Sequence, residues 1–257
     1  MIIRGGVTES TTNVGQVYFS SNQFLNHSAV NPAFSLLSSM GKSKDFASEF
    51  NFFEEEKRAE LFSGLYPVTD GDSIVQVLNT NRPNVLLILM EGFGGVFIEP
   101  LGGLPDVAPN LNRLSEEGVF FTNCYANSFR TDRGTVCTLS GYLGLPTASV
   151  MKIPVKSRML PALSEEMLKA GYATDFLYGG DINFTNMKSY LLSKGYQKLT
   201  ADTDFSLAER TSNVWGVNDD ITADWLLKQL KERTGEGRWF TTYLTLSSHE
   251  PFDVPYN

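Results

Sequence analysis

From Asn84 to Gly95 the chain reads NVLLILMEGFGG, and the rest of the sequence is organised around this stretch. The residues from Val85 to Met90 are all apolar, without a polar break. Such a run is typical of a strand buried on both faces at the centre of a parallel sheet. Glu91 follows at the carboxyl end of that strand, where open α/β sheets gather ligands. Considered alone, Glu91 would be an ordinary solvated loop residue, so its interpretation depends on what the other strands carry.

Composition limits the possible functions. The chain has 257 residues, enough for one sizeable core, and its formal net charge of -8 argues against nucleic acid as a partner. No apolar run reaches the roughly 18 to 20 residues that a membrane span needs, so the chain as given is expected to be soluble. It could still be a soluble piece of an anchored protein. The two cysteines, Cys124 and Cys137, are expected to be free buried thiols.

Residues 1–83 are predicted to be a lead-in segment that packs on a catalytic domain formed by residues 84–257. Within the segment, the apolar group around Phe34–Leu37 predicts a short helix, and Glu54–Glu60 has opposite charges four residues apart, a helical pattern. Residues 61–68 are predicted to be a loop.

From Asn84 onward strands alternate with helices. After the first strand, we predict further strands at residues 119–126, 172–178 and 239–246, and helices at residues 107–117, 131–139, 160–170, 183–194 and 218–232. This alternation predicts an α/β fold, a three-layer α/β/α sandwich with a mostly parallel central sheet.

Polar residues follow several of the predicted strand ends. Glu91, Asp181 and His249 each come after a strand, and Thr131 opens the helix that follows the second predicted strand. The carboxyl ends of parallel strands share one edge of a sheet, so these four residues are expected to converge. Their convergence predicts a site.

The residue types in this set indicate a chemistry. A hydroxyl at a helix N-terminus, such as that of Thr131, feels the positive end of the helix dipole. A threonine is a poor nucleophile unless a base or a metal takes up its proton, and Glu91 could bind a hard cation. Arg130 and Arg133 could hold an anionic substrate. The alternative is that Thr131 is an ordinary N-cap, or that Ser128 or Thr135 is the relevant hydroxyl.

Four motifs carry a resemblance to a known family: the strand ending in Glu91, Ala108-Pro109-Asn110-Leu111, Phe121–Ala126, and Thr131-Asp132-Arg133-Gly134. Together they resemble the alkaline phosphatase/sulfatase superfamily, and within it the lipoteichoic acid synthase group of phosphoglycerol transferases. Two later segments, Gly179–Asp181 and Ser247–Phe252, resemble the substrate-side motifs of that group.

The resemblance implies a metal-dependent enzyme. Glu91 and Thr131 would ligate one divalent ion, Mn²⁺ or alternatively Mg²⁺ or Zn²⁺, and Thr131 would be the nucleophile. Asp181, His249 and the aromatic Phe184 would line the substrate pocket. The family moves a phosphoglycerol group from a membrane lipid through a covalent threonine intermediate. A phospholipid-derived or other anionic substrate, and a location at the extracytoplasmic face of a bacterial membrane through a span not present here, follow from the resemblance.

The sequence departs from the family in two places. The family completes its metal site with an Asp-His pair, and no such dipeptide occurs in this chain, so a catalytically incomplete fragment or binding domain is one alternative. Asn186 or Met187 stands where the family carries an arginine. Hydrolysis of sulfuric or phosphoric esters is a second alternative. Sulfatases carry a Cys/Ser-x-Pro-x-Arg motif at the nucleophile, whereas the sequence around Thr131 does not match this motif.

Overall fold

The computed structural model describes residues 10–40, 45–65, 76–211, 213–233, 235 and 237–254. By their contacts the described residues form two units. Those up to Val30 and from Arg82 onward make the first unit, and those between Asn31 and Asn81 make the second. The predicted division at residue 83 stays a prediction.

Within these ranges the regular elements are four strands and eleven α-helices. The strands are β1 (Val85–Leu89), β2 (Ala173–Tyr178), β3 (Lys198–Thr200) and β4 (Trp239–Leu244). The helices are α1 (Gln23–Ala29), α2 (Pro32–Met40), α3 (Phe46–Glu49), α4 (Glu55–Leu65), α5 (Pro109–Glu117), α6 (Thr131–Ser140), α7 (Pro154–Ser157), α8 (Leu163–Lys169), α9 (Met187–Ser193), α10 (Leu207–Arg210) and α11 (Asp219–Glu232).

The four strands form one parallel sheet in the order β1-β4-β2-β3. The predicted α/β class and parallel sheet are therefore confirmed, but the predicted central position of β1 is wrong. Among the described strands β1 pairs only with β4, and Leu86, Ile88 and Met90 are 38%, 48% and 42% exposed. The apolar run of β1 is half-buried because no described element covers its second face.

The core is built on β2 and β4 instead. Phe176 and Leu177 of β2 and Phe240 of β4 are almost completely buried. The core also contains polar residues. The hydroxyl of the buried Thr242 of β4 forms a 2.7 Å hydrogen bond with the hydroxyl of Tyr196. A satisfied hydroxyl removes most of the cost of burying a threonine, so β4 occupies the middle of the sheet despite its two central threonines.

Most of the other predicted helices and strands are present in the structure. The helices predicted after β1 all exist, although α9 begins only at Met187, after the 3-10 turn Phe184–Asn186. The strand predicted at residues 119–126 is wrong, because those residues form no ladder and Phe121 is 72% exposed. The short strand β3 was not predicted. Both cysteines are free as expected, but Cys124 is exposed and Cys137 is only half-buried, so their predicted burial is wrong.

The two helical patterns of the lead-in segment are confirmed as α2 and α4. Helix α4 continues to Leu65, so residues 61–65 are helical and not the predicted loop, while residues 66–68 lie outside the described residues. In the first unit, the 3-10 helix Val14–Val17 contacts α9. No helix of the described chain is long and apolar enough to cross a membrane.

Candidate active site

The loops that follow β1 and β4 are joined at the carboxyl edge of the sheet. The backbone N–H of Glu91 donates a 2.9 Å hydrogen bond to the hydroxyl of Thr245, just after β4. Gly92 has a positive φ of 64°, and a Cβ there would collide with the carbonyl oxygen of Ser248. Only glycine combines this backbone conformation with such a close approach, so the Glu91-Gly92 turn is built to lie against the β4 loop.

Carboxylates from several loops act on Tyr178, the last residue of β2. Burial raises the pKa of the Tyr178 hydroxyl at the end of β2, and the nearby carboxylates raise it further. These carboxylates belong to Glu91, Asp181, Asp202 and Asp219. These four carboxylates make the region around the Tyr178 hydroxyl acidic.

Asp219 anchors the β4 loop. Its carboxylate oxygens accept hydrogen bonds from the backbone N–H groups of Leu246 at 2.7 Å and Ser247 at 2.8 Å. The backbone N–H of Asp219 donates in return to the Ser247 hydroxyl at 2.8 Å. Asp219 is the first residue of α11, after the cap residue Asn218, and its side chain fixes the loop that carries His249.

Asp181 organises the loop that follows β2. Its Oδ1 accepts hydrogen bonds from the backbone N–H and the side-chain amide of Asn183, both at 2.9 Å. The backbone then passes through Thr185 and Asn186, both at positive φ. Asp181 therefore holds the start of this turn, as well as being a predicted substrate residue.

Asn186, one of the two residues that stand in place of the family arginine, points into the protein. It is 4% exposed, and its side-chain oxygen accepts a 3.1 Å hydrogen bond from the backbone N–H of Gly15. Its amide donates to the carbonyl of Met151 at 3.4 Å. Met187 is also fully buried, so neither residue can replace the guanidinium as a contact for an anionic substrate.

We expect Asn186→Ala to lower the free energy of unfolding by about 2–3 kcal/mol, because it removes both hydrogen bonds and places a Cβ-bearing residue without a polar side chain at a φ of 71°. Asn186→Gly relieves the backbone strain but not the lost hydrogen bonds, and should recover about 1 kcal/mol. Urea denaturation of the three proteins measures both differences. Equal stability of the alanine and glycine variants would show that the left-handed backbone is not strained.

Thr131 is the first residue of α6 and follows the cap position, which Arg130 occupies without a side-chain hydrogen bond. The alternative that Thr131 is an ordinary N-cap is therefore wrong. Its hydroxyl makes no hydrogen bond within the described part of the chain. Thr135, the alternative hydroxyl on the same helix, is 2% exposed. Thr131 is the more accessible of the two, while its distance from Glu91 and its role stay predictions.

Arg133 lies in the first turn of α6, three residues after the cap residue Arg130. Its Nη1 donates a 2.9 Å hydrogen bond to the carbonyl of Pro146, and its guanidinium lies 5.8 Å from the centre of the Phe129 ring. Its buried Nε has no hydrogen-bond partner among the described residues. These contacts direct part of the guanidinium to the protein, so its predicted role as a substrate contact stays a prediction.

An aromatic group that the sequence did not indicate lies beside His249. Between ring centroids, Trp215 lies 4.5 Å from His249 and 6.2 Å from Phe184. Its indole N–H also donates to the carbonyl of Glu250. The contact joins Phe184 of the β2 loop with His249 of the β4 loop, two residues that were predicted to share a pocket.

The comparison with known families agrees with this architecture. The sulfatase family model matches residues 83–257, more than half of the chain. The chain belongs to the sulfatase family. A crystal structure of a protein in the alkaline phosphatase superfamily from Vibrio parahaemolyticus superposes with a TM-score of 0.66 at 28% identity, over 80% of this chain and 52% of that one. The fold predicted from the sequence is therefore confirmed as alkaline phosphatase-like.

Other members of this superfamily are similar over shorter ranges. An ulvan-active sulfatase of Formosa agariphila is 30% identical over 128 residues, which cover 44% of this chain and 21% of that protein. The lipoteichoic acid synthase LtaP of Listeria monocytogenes shares the fold with a TM-score of 0.60 at 17% identity, over 67% of this chain and 42% of LtaP. This sulfatase-family chain therefore spans about half or less of the length of these relatives.

Members of this superfamily typically use a divalent metal ion. Among its described residues there is no group of three or more His, Cys, Asp or Glu side chains that could hold one ion. Glu91 and Thr131 together would supply two ligating side chains, whereas protein-bound zinc or manganese usually has four or more ligands. The described residues do not provide a complete metal site.

Proposed function

We propose that this sulfatase-family protein transfers a phosphoglycerol-type group from a membrane lipid to an acceptor hydroxyl at the extracytoplasmic face of the bacterial envelope. The observation that carries this proposal is the Thr131 hydroxyl, which stands at the first position of the ten-residue helix α6 and makes no hydrogen bond to any residue that the structure describes. The acidic region around Tyr178 and the carboxyl edge of the sheet supply the surrounding polar groups.

The reaction has two displacements at phosphorus. In the first, Thr131 Oγ attacks the phosphodiester, the bond to the diacylglycerol oxygen breaks, and the threonine proton ends on the released diacylglycerol. In the second, an acceptor hydroxyl attacks the phosphothreonine, its proton returns to Thr131, and the phosphoglycerol product leaves. The helix N-terminus favours negative charge at the phosphoryl oxygens in both steps. Asp181, Phe184, Arg133 and His249 are proposed to bind the head group.

Intact mass spectrometry tests the first displacement. We expect incubation with a phosphatidylglycerol vesicle and Mn²⁺ to add one phosphoglycerol group to the protein, and peptide mapping to place it on Thr131. Diacylglycerol should appear in equal amount. Release of diacylglycerol without a covalent adduct would contradict the threonine intermediate.

Sulfate-ester hydrolysis is the second candidate, because the ulvan-active sulfatase is 30% identical over 128 residues. The absence of a Cys/Ser-x-Pro-x-Arg motif around Thr131 weighs against it. An aryl sulfate distinguishes the two: release of inorganic sulfate with no phosphoglycerol adduct would favour the hydrolase.

A third candidate is a binding domain, or a catalytic part whose metal ligands are completed from outside this chain. The two oxygen donors of Glu91 and Thr131 and the half-exposed apolar face of β1 support it. Calorimetric titration with Mn²⁺ and Zn²⁺ tests this candidate, which expects no saturable uptake by the chain. Stoichiometric tight binding would exclude it.

A further inference from the structure

The Trp215 ring lies beside the β4 loop, to which its indole N–H is hydrogen-bonded. It belongs to the turn Asn213–Gly216, whose Gly216 forms an isolated bridge with Gly180 of the β2 loop. The side-chain oxygen of Asn213 accepts the Trp215 backbone N–H at 2.8 Å, and its amide donates to the carbonyl of Asp253. Backbone and side-chain contacts therefore fix this tryptophan to both loops that carry predicted substrate residues.

The carbonyl oxygen of Glu250 is the hydrogen-bond partner of both Trp215 and His249. Trp215 Nε1–H donates to the Glu250 carbonyl oxygen at 2.7 Å, and His249 Nδ1 lies 2.7 Å from the same oxygen. A carbonyl oxygen can only accept, and it has two lone pairs, one for each ring. Nδ1 of His249 must therefore carry a hydrogen. In the neutral ring the other nitrogen, Nε2, is then the unprotonated acceptor.

We propose that Trp215 is a positioning residue that holds His249 in the Nδ1–H tautomer and presents Nε2 as a hydrogen-bond acceptor for a substrate hydroxyl. The proposal rests on the proposed function for the placement of His249 on the substrate side. Ring contact at 4.5 Å limits rotation of the imidazole, and the shared Glu250 carbonyl selects the tautomer. A hydroxyl beside the ester is present in glycerol phosphate and in sulfated sugars, so this ligand chemistry suits either substrate.

The tautomer can be measured directly, because the chain has only two histidines. In a His27→Gln background, proton–nitrogen correlation spectra of the imidazole report His249 alone. We expect the neutral ring to be protonated at Nδ1 in this parent protein. In Trp215→Leu the ring contact is lost and the imidazole can rotate away from the Glu250 carbonyl, so the population should shift towards the Nε2–H form that free histidine favours. Trp239→Leu, at the opposite end of β4, is the matched control and should leave the Nδ1–H form unchanged.

Trp215→Phe separates ring contact from hydrogen bonding, because phenylalanine keeps an aromatic ring but has no N–H. It should show a mixture of the two tautomers, and it decides the question if the leucine variant fails to fold. A parent protein in the Nε2–H form, or variants at Trp215 that keep the Nδ1–H form, would overturn the proposal.

Kinetics link the tautomer to the reaction. We expect Trp215→Leu to lower kcat/KM for the ester substrate by about 10- to 100-fold, as for other residues that orient a functional histidine, with no change in Trp239→Leu. Unchanged kcat/KM in Trp215→Leu would overturn the substrate part of the proposal. If the parent turns over neither phosphatidylglycerol nor an aryl sulfate, the proposed function fails, while the tautomer spectra still decide the role of Trp215.

Discussion

Thr131→Ala should abolish the phosphoglycerol adduct and lower transfer by roughly 10³-fold or more, the scale of loss expected when a catalytic nucleophile is removed. The physical reason is that no other hydroxyl is equally available on α6, since Thr135 is 2% exposed and Thr138 donates its hydroxyl hydrogen to the carbonyl of Gly134. Adduct mass and the rate of diacylglycerol release measure the effect.

Two matched variants complete this experiment. Thr131→Ser keeps a hydroxyl at the helix N-terminus and should retain the adduct. Thr138→Ala removes an exposed hydroxyl two turns further along the same helix, loses one hydrogen bond to Gly134, and should leave transfer unchanged. An adduct that persists in Thr131→Ala would move the nucleophile elsewhere, with Ser128 as the next residue to test. Comparable unfolding midpoints of the variants would exclude a folding defect as the cause.

The class of fold could be predicted because the residues that start and end helices are local sequence signals. Gly118 ends α5, and Pro109 lies in its first turn, as helix start and stop signals require. Strand order is not a local property. The uninterrupted apolar run of β1 indicated a central strand, whereas the buried centre includes β4 with Thr241 and Thr242. Their hydroxyls are satisfied by Arg233 and Tyr196, partners that only the folded chain brings near.

The meeting of loops at one edge of the sheet could be predicted from the sequence, whereas the roles of their residues stay predictions. Strand ends share an edge in a parallel sheet, so the joining of the Glu91, Asp181 and His249 loops could be expected from strand–helix alternation. Trp215 could not, because it lies in a turn far from any strand end. Its neighbour Gly216 and the Asn213 side chain were the available signals, since both mark a tight turn, but nothing in their spacing shows which loop that turn meets.

Asp219→Ala should lower the free energy of unfolding by about 3 kcal/mol, since the carboxylate accepts two charge-assisted hydrogen bonds from the backbone of Leu246 and Ser247. Two backbone N–H groups would lose their acceptor at once. For a unit of this size the loss corresponds to a fall in Tm of roughly 6–12 °C. Asp219→Asn keeps one acceptor oxygen and should lose about half as much. Urea denaturation measures both variants.

The control is Asp224→Ala, which removes an exposed carboxylate from the same helix and should change stability by less than about 0.5 kcal/mol. Hydrogen exchange separates local from global effects: the amides of Leu246 and Ser247 should exchange faster in Asp219→Ala, while Phe240 in the middle of the sheet should follow global unfolding. Protected amides at both loop positions in the variant would mean that Asp219 does not hold the β4 loop. Because that loop carries His249, its release should also weaken substrate binding before the sheet itself unfolds.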